Sequence, residues 1–360
     1  MTTTSVAARL APLGAAVAAA LAGALAGAGL TVTAPVAGIP SPGIGVLVTL
    51  PLIRALLGVT AAATVGLCLV PLLLGDSAVA DRAEQVLHRA RRWSVVTSMA
   101  WAATAVTALL LHTAEFQAQR DAIGLADVTS YVSDVATGKA LLGVIVLTLL
   151  LCALTVLAVR HGERVPAEIR AGLGVFALLP LPATGHAAGW MGHDYAVVAL
   201  ELHVVSAVVW LGGLAALAVL LARDTPLLAT ALPRFSVVAT ACIGTTAVTG
   251  TISGLTQLST HGSISAALIG TPYGGLLLAK LACFGAIALA GAKMRWRILP
   301  AVVGRREDCL QVRTIRREDC LQVRTIGHRR SAFAVWASVE LLLLGLAFGI
   351  AAVLSRAGFG

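Results

Sequence analysis

Along this chain apolar and polar positions do not alternate singly; they fall into long apolar blocks separated by short polar ones. A helix needs roughly 20 apolar residues to cross the hydrocarbon of a bilayer, and about nine blocks of that size recur. They run from about Leu10 to Val32, Pro51 to Gly75, Ser94 to Leu111, Lys139 to Val159, Ala171 to Ala188, Tyr195 to Ala222, Phe235 to Leu258, Pro272 to Ala292 and Ser331 to Leu354. The pattern predicts an all-α fold, a polytopic transmembrane helical bundle of about nine spans. The first block is too long for the apolar region of a cleaved signal peptide and is read as an uncleaved helix. In the fifth, Pro180 and Pro182 remove backbone donors and kink or break the helix. The sixth holds 28 residues. At 1.5 Å per residue it is about 42 Å long, so its first turns lie in the interface.

The polar blocks then orient the bundle. Asp76 to Trp93 carries Arg82, Arg89, Arg91 and Arg92; Arg160 to Arg170 is also basic; Arg223, Asp224 and Arg234 mark a turn; and Lys293 to Arg330 is the most basic stretch. Each of these four follows an even-numbered span, so one orientation satisfies the positive-inside rule, with the amino terminus cytoplasmic and the carboxyl terminus outside. The intervening loops agree. Pro35 to Gly45 is uncharged, the loop from Glu115 through Asp121, Asp127 and Asp134 is acidic, and the one around His261 has no Lys or Arg. Arg54 lies near the outer end of the second span, where its stem snorkels to the headgroups. Composition excludes a soluble domain: 58% of residues are apolar and 12% charged. The net charge of +9 suits contact with anionic lipid headgroups of the bilayer. Neither aromatic interleaving nor a binding motif supports a nucleic-acid partner.

On this topology His112, His186, His193, His203 and His261 fall at or toward the external face, whereas His88, His161 and His328 lie in basic cytoplasmic segments. The stretch from Gly185 to Tyr195 places His186, Met191 and His193 in one polar connection leading into the sixth span. Ionisable groups there are costly unless they have a partner or a task. Imidazoles beside a thioether suit a borderline or soft transition metal, copper before others. The candidate metal ligands are therefore His186, His203, His193, Met191 and His112, with Asp194 or Glu201 as carboxylates able to orient a ring. His203 shares a helix face with Ser206, Ala207 and Trp210, while Glu201 is about 200° away around the helix. For any single residue the plainer reading is an interfacial histidine bonded to water or a carbonyl. Lys280 and Glu340 are the charges deepest in apolar blocks. They are read as a transport path or as a structural ion pair between the last two spans.

Gly185-His186 followed by His203, the run Trp210-Leu211-Gly212-Gly213-Leu214, Arg234-Phe235-Ser236 with Thr249-Gly250, and Thr271-Pro272-Tyr273-Gly274 with Lys280 together resemble the copper resistance protein D family. The resemblance runs from about Arg164 to Pro300, and beyond it the flanking helices match by hydropathy. It implies a multi-pass protein of the bacterial plasma (inner) membrane concerned with copper uptake or homeostasis, without bringing a fixed set of metal ligands. The Ala/Gly/Arg-rich composition is similar to that of actinobacterial members, in which such a domain is often fused to a cytochrome oxidase assembly domain. The chain is accordingly read as a stand-alone form or as part of such a fusion. Five regions follow: 1–50, the first span and its linker; 51–160, spans two to four; 161–300, the family-like core; 301–330, a basic loop; and 331–360, the last span.

Cysteines do not form a disulfide framework: Cys68, Cys152, Cys242 and Cys283 all lie in apolar blocks and behave as small hydrophobes. Cys309 and Cys320 belong to two identical eleven-residue copies, Arg305 to Ile315 and Arg316 to Ile326. On a continuous helix the two thiols would fall near one face, a conceivable Cu(I) handoff, although duplication within a tolerant loop explains the repeat more simply. Phosphate-loop, Gly-x-Ser-x-Gly and His-Glu-x-x-His patterns are missing, so an enzyme is not expected. Three functional readings are left open. The first is copper transport or homeostasis, in which an external His/Met cluster captures copper ion and a periplasmic copper-binding protein is a partner. The second is a haem-binding electron-transfer bundle using His112, His186 or His203. The third is a partner of copper-oxidase assembly factors.

Overall fold

The computed structural model turns the long apolar blocks into helices, because only helices satisfy every backbone donor and acceptor within a single apolar segment. It describes residues 3–31, 43–75, 80–120, 122–181, 193–259, 263–293, 295–296 and 319–354. The helices are α1 (Thr3–Thr31), α2 (Ile44–Leu74), α3 (Ala80–Phe116), α4 (Leu125–Asp134), α5 (Ala136–His161), α6 (Ala167–Phe176), α7 (His193–Ala216), α8 (Thr225–Ser259), α9 (Ile264–Gly270), α10 (Pro272–Lys293) and α11 (Asp319–Leu354). Among the described residues 8 helices are long and apolar enough to cross a membrane. These correspond to all the expected spans except the fifth, whose place is taken by the short α6.

Several boundaries differ from the apolar pattern, each for a local reason. Helix α6 stops at Phe176 because Pro180 has no N–H to offer the Phe176 carbonyl; the chain continues as turns to Pro180, and the rest of the expected fifth span lies outside the described residues. Helix α3 begins well before Ser94, absorbing most of the segment read as a basic loop. Between Ala80 and Trp93 the chain holds strong helix formers and neither Gly nor Pro, so nothing stops the helix at the membrane surface. Helix α8 begins at Thr225 rather than Phe235, and Asp224 caps it by accepting the Leu227 N–H at 3.3 Å. Arg234 therefore lies within α8, where its Nη1 donates to the Leu73 carbonyl at 3.1 Å and satisfies an open carbonyl at the end of α2. Helix α11 extends back to Asp319. Of the duplicated segment, Cys309 and the first copy lie outside the described residues, as does the side chain of Cys320.

Helix α2 is the centre of the bundle, in contact with α1, α3, α6, α7, α8 and α11. Lipid tails are as apolar as leucine, so helices in a membrane associate through close packing and hydrogen bonds, and small residues allow backbones to approach. At the α2–α7 crossing Gly66 lies against the Gly212 backbone, and Gly212 lies against the Ala62 carbonyl; a Cβ on either glycine would fall inside 3.0 Å. Helix α1 meets α11 in the same way, Gly345 on Ala16 and Gly349 on Ala20. Continuing from α7, Leu217–Leu221 forms a buried π-helical turn. In the acidic loop, Asp127 accepts hydrogen bonds from Arg120 Nη1 at 2.6 Å and from the Gly124 N–H at 2.8 Å, which fixes the start of α4.

Candidate functional site

Helix α7 presents His203, Ser206 and Trp210 toward α8, α10 and α11, the i, i+3, i+7 face expected from the sequence. Thr249, Lys280, Gly250 and the Thr246 backbone meet around the His203 ring. Nδ1 is 3.2 Å from Thr249 Oγ1, Nε2 is 3.4 Å from Lys280 Nζ, and Gly250 sits beneath Cε1, where a Cβ would be 3.1 Å away. The proton positions follow from the partners. Thr249 spends its hydroxyl hydrogen on the Thr245 carbonyl at 2.6 Å, so its oxygen accepts from Nδ1–H. Nε2 then carries the lone pair and accepts from the Lys280 amine. Donation runs in one direction, from Lys280 through His203 and Thr249 to Thr245. The nitrogen that would bind a metal is the one facing Lys280. Beside this chain Ser206 and Thr246 are buried, and Thr246 Oγ1 has no hydrogen-bond partner.

Two turns along α7, about 10 Å away at 1.5 Å per residue, lies the second polar group. Trp210 Nε1 donates to Glu340 Oε1 at 3.1 Å, with both side chains buried. Phe284 meets the Trp210 ring edge-on, at a centroid distance of 6.4 Å and an interplanar angle of 86°. Gly291 of α10 faces the carboxylate; a Cβ there would stand 3.7 Å from Oε1. Glu340 also borders a cavity of about 210 Å³, whose other lining includes Phe235, Ser236, Thr240, Gly291 and Arg295. Arg295 Nη1 donates to Thr240 Oγ1 at this cavity. The cavity lies toward the end of the bundle bearing the basic segments, and His203 lies toward the opposite end. Lys280 and Glu340 form no ion pair with each other; Lys280 is bonded to His203, and Glu340 to Trp210.

The expected metal set is only partly visible. His186, Met191 and His261 lie outside the described residues, as does the side chain of His193. His112 is buried on α3, with Nδ1 3.4 Å from Glu115 Oε2. Helix α3 packs against α2, α4 and α5, whereas His203 points between α8 and α10. Among the described residues no group of three or more His, Cys, Asp or Glu side chains converges as a metal site. Cys68 and Cys242 are buried free thiols, and Cys152 and Cys283 are half-buried.

Among the described residues, several motif pieces singled out in the sequence touch one another or Glu340. Trp210 holds Glu340, Gly213 seats the Phe235 ring, Gly250 and Thr249 hold His203, and Lys280 completes that cluster. Sequence reasoning placed Trp210 on the His203 face but found neither its bond to Glu340 nor the role of Thr245. A threonine one turn before Thr249 was the available signal.

Fold and contacts define a polytopic helical membrane protein in which polar groups gather along one face of α7. Two family models match it: copper resistance protein D over residues 229–354, and the copper resistance protein D-like N-terminal domain over residues 46–194. The chain belongs to the copper resistance protein D family. The likeness is thus wider at both ends than the stretch from Arg164 to Pro300, and it reaches the flanking helices. It leaves out 195–228, the segment that carries His203 and Trp210. Comparison with curated proteins and with solved structures returned no match.

Proposed function

We propose that this protein moves or buffers copper across the bacterial inner membrane, with His203 and Glu340 as successive stations for the ion along α7. Family membership supports a role in copper resistance or transport. The observation that carries the finer reading is the single polar face of α7, which links the His203 cluster to the Glu340 cavity. Ionisable groups at this depth are expensive and rare, and they mark substrate or ion pathways. An imidazole nitrogen suits copper in either oxidation state, and a carboxylate attracts any cation.

Lys280 gives this path a gate. Its amine occupies the Nε2 lone pair, so an arriving copper ion must displace a cation from the nitrogen it binds. The lysine stem is long and flexible, and a small swing frees the ring. His186, His193 and Met191 are the capture groups of this reading at the external mouth. From Glu340 the ion passes to Ser236 and Thr240 in the cavity and on to the cytoplasmic face.

The test is copper accumulation in cells carrying an empty vector, the wild type, His203→Ala or Glu340→Gln, with protein in the membrane measured in parallel. Wild type should differ from the vector, and both variants should fall back toward it. Equal accumulation in all four strains, at equal membrane levels, refutes the reading. A purified protein with a strong Soret band would favour the haem alternative instead.

A further inference from the structure

At the end of the bundle carrying the basic segments, two arginines are buried, and among the described residues Glu84 pairs with one of them and Glu168 lies within electrostatic range of the other. Arg91 of α3 is 5% exposed and Arg170, in the first turn of α6, is 3% exposed. Arg91 Nη1 is paired with Glu84 at 2.8 Å, but the Glu84 side chain is 55% exposed and faces largely into solvent. Arg170 has no hydrogen bond or ion pair among the described residues. The Nε of each arginine is buried and unpartnered. An ionised group taken out of water without a partner is among the costliest arrangements in a protein, and a guanidinium cannot escape it by losing its proton.

The two side chains occupy one place. Helices α2, α3, α5 and α6 pack together there, and Arg91 and Arg170 lie within electrostatic range of each other. The turn that ends α5 passes close by; a Cβ on Gly162, at φ +60°, would be 3.9 Å from Arg91 Nη1. Around the pair, Arg82, Arg89, Arg92, Arg160 and Arg164 are exposed. Against the exposed Glu84 and Glu168 of the same segments they leave a positive surplus that draws anions.

We propose that Arg91 and Arg170 together bind a phosphate group through their unpartnered Nε edges. A guanidinium presents parallel N–H donors that match two oxygens of a phosphate, and two guanidiniums supply donors for several oxygens at once. One bound phosphate answers both orphaned donors and the excess charge. Chloride offers no oxygens for the forks, and a carboxylate has fewer than a phosphate. The phosphate belongs either to an anionic phospholipid of the adjoining leaflet or to a free phosphate ion; the chemistry at the two arginines is the same. This site does not depend on copper or on the α7 path.

The experiment measures the unfolding midpoint of the purified full-length protein as inorganic phosphate is added, against sodium chloride at matched ionic strength. A second series compares nanodiscs of phosphatidylglycerol with nanodiscs of phosphatidylcholine. The expected result is a rise in midpoint with phosphate, with phosphatidylglycerol, or with both. Phosphate alone identifies the free ion, phosphatidylglycerol alone identifies the headgroup, and both identify a general phosphate site. Arg170→Gln should weaken the response roughly tenfold, and Arg170→Lys, which keeps charge but loses the fork, nearly as much. Arg164→Gln, an exposed neighbour, should leave it unchanged. No response to phosphate beyond chloride together with none to phosphatidylglycerol overturns the proposal on the wild type alone. So does an undiminished response in Arg170→Gln.

Discussion

Replacing Gly212 by alanine tests the α2–α7 crossing on which the placement of His203 and Trp210 depends. An added Cβ falls inside 3.0 Å of the Ala62 carbonyl, whereas ordinary contact begins at 3.4 Å. The obstacle is helix backbone on both sides, so no side chain can rotate away. The two helices must part by about an ångström, a gap that forfeits a quarter to a half of each dispersion contact along the seam. Overpacking of this kind costs about 1–3 kcal/mol, and a backbone clash belongs at the upper end. The control is Gly244→Ala or Gly285→Ala, where an added Cβ meets nothing within 4 Å. There alanine should be neutral or stabilising by about 0.5–1 kcal/mol, since glycine is the poorer helix former. Reversible unfolding in bicelles with increasing SDS, followed by tryptophan fluorescence, separates the variants. If Gly212→Ala unfolds at the same SDS fraction as the two controls, the close crossing is wrong and the geometry built on it fails.

Three further outcomes follow from single contacts. Glu340→Gln keeps an acceptor for Trp210 Nε1–H, while Glu340→Ala leaves a buried donor unpaired at a cost of about 1–3 kcal/mol; equal stability of the two variants in the same assay would show that the bond is not formed. Lys280→Met removes the amine from His203 Nε2, and copper accumulation should rise above wild type; unchanged or lower accumulation speaks against gating. Arg234→Ala strips the Leu73 carbonyl of its donor and should lower stability by about 1 kcal/mol, with faster hydrogen exchange at the end of α2; unchanged exchange there would rule out the capping role.

Much of the architecture was legible without coordinates, because the cost of exposing backbone or charge to hydrocarbon leaves a strong signal in the chain. The blocks from Pro51 to Gly75 and from Pro272 to Ala292 lie within α2 and α10 or nearly coincide with them. Where helices leave the hydrocarbon that signal vanishes, and the starts of α3 and α8 were missed: Ala80 to Trp93 is polar yet helical, and Asp224, not Arg234, opens α8. Pro180 and Pro182 lead one to expect a kink or a break in the fifth span, and α6 ends at Phe176, ahead of both. The ends of the bundle are less visible in a hydropathy pattern than its middle.

For the site, the sequence by itself determined that His203, Ser206 and Trp210 share a face, since a helix repeats every 3.6 residues whatever surrounds it. It also determined that Lys280 and Glu340 lie deep, because their flanks are apolar. Only the tertiary structure decided their partners. Lys280 meets His203 across 77 positions of chain, and Trp210 meets Glu340 across 130. No local periodicity encodes such distances; they arise from which glycines let which helices approach, and that is a property of the packed bundle.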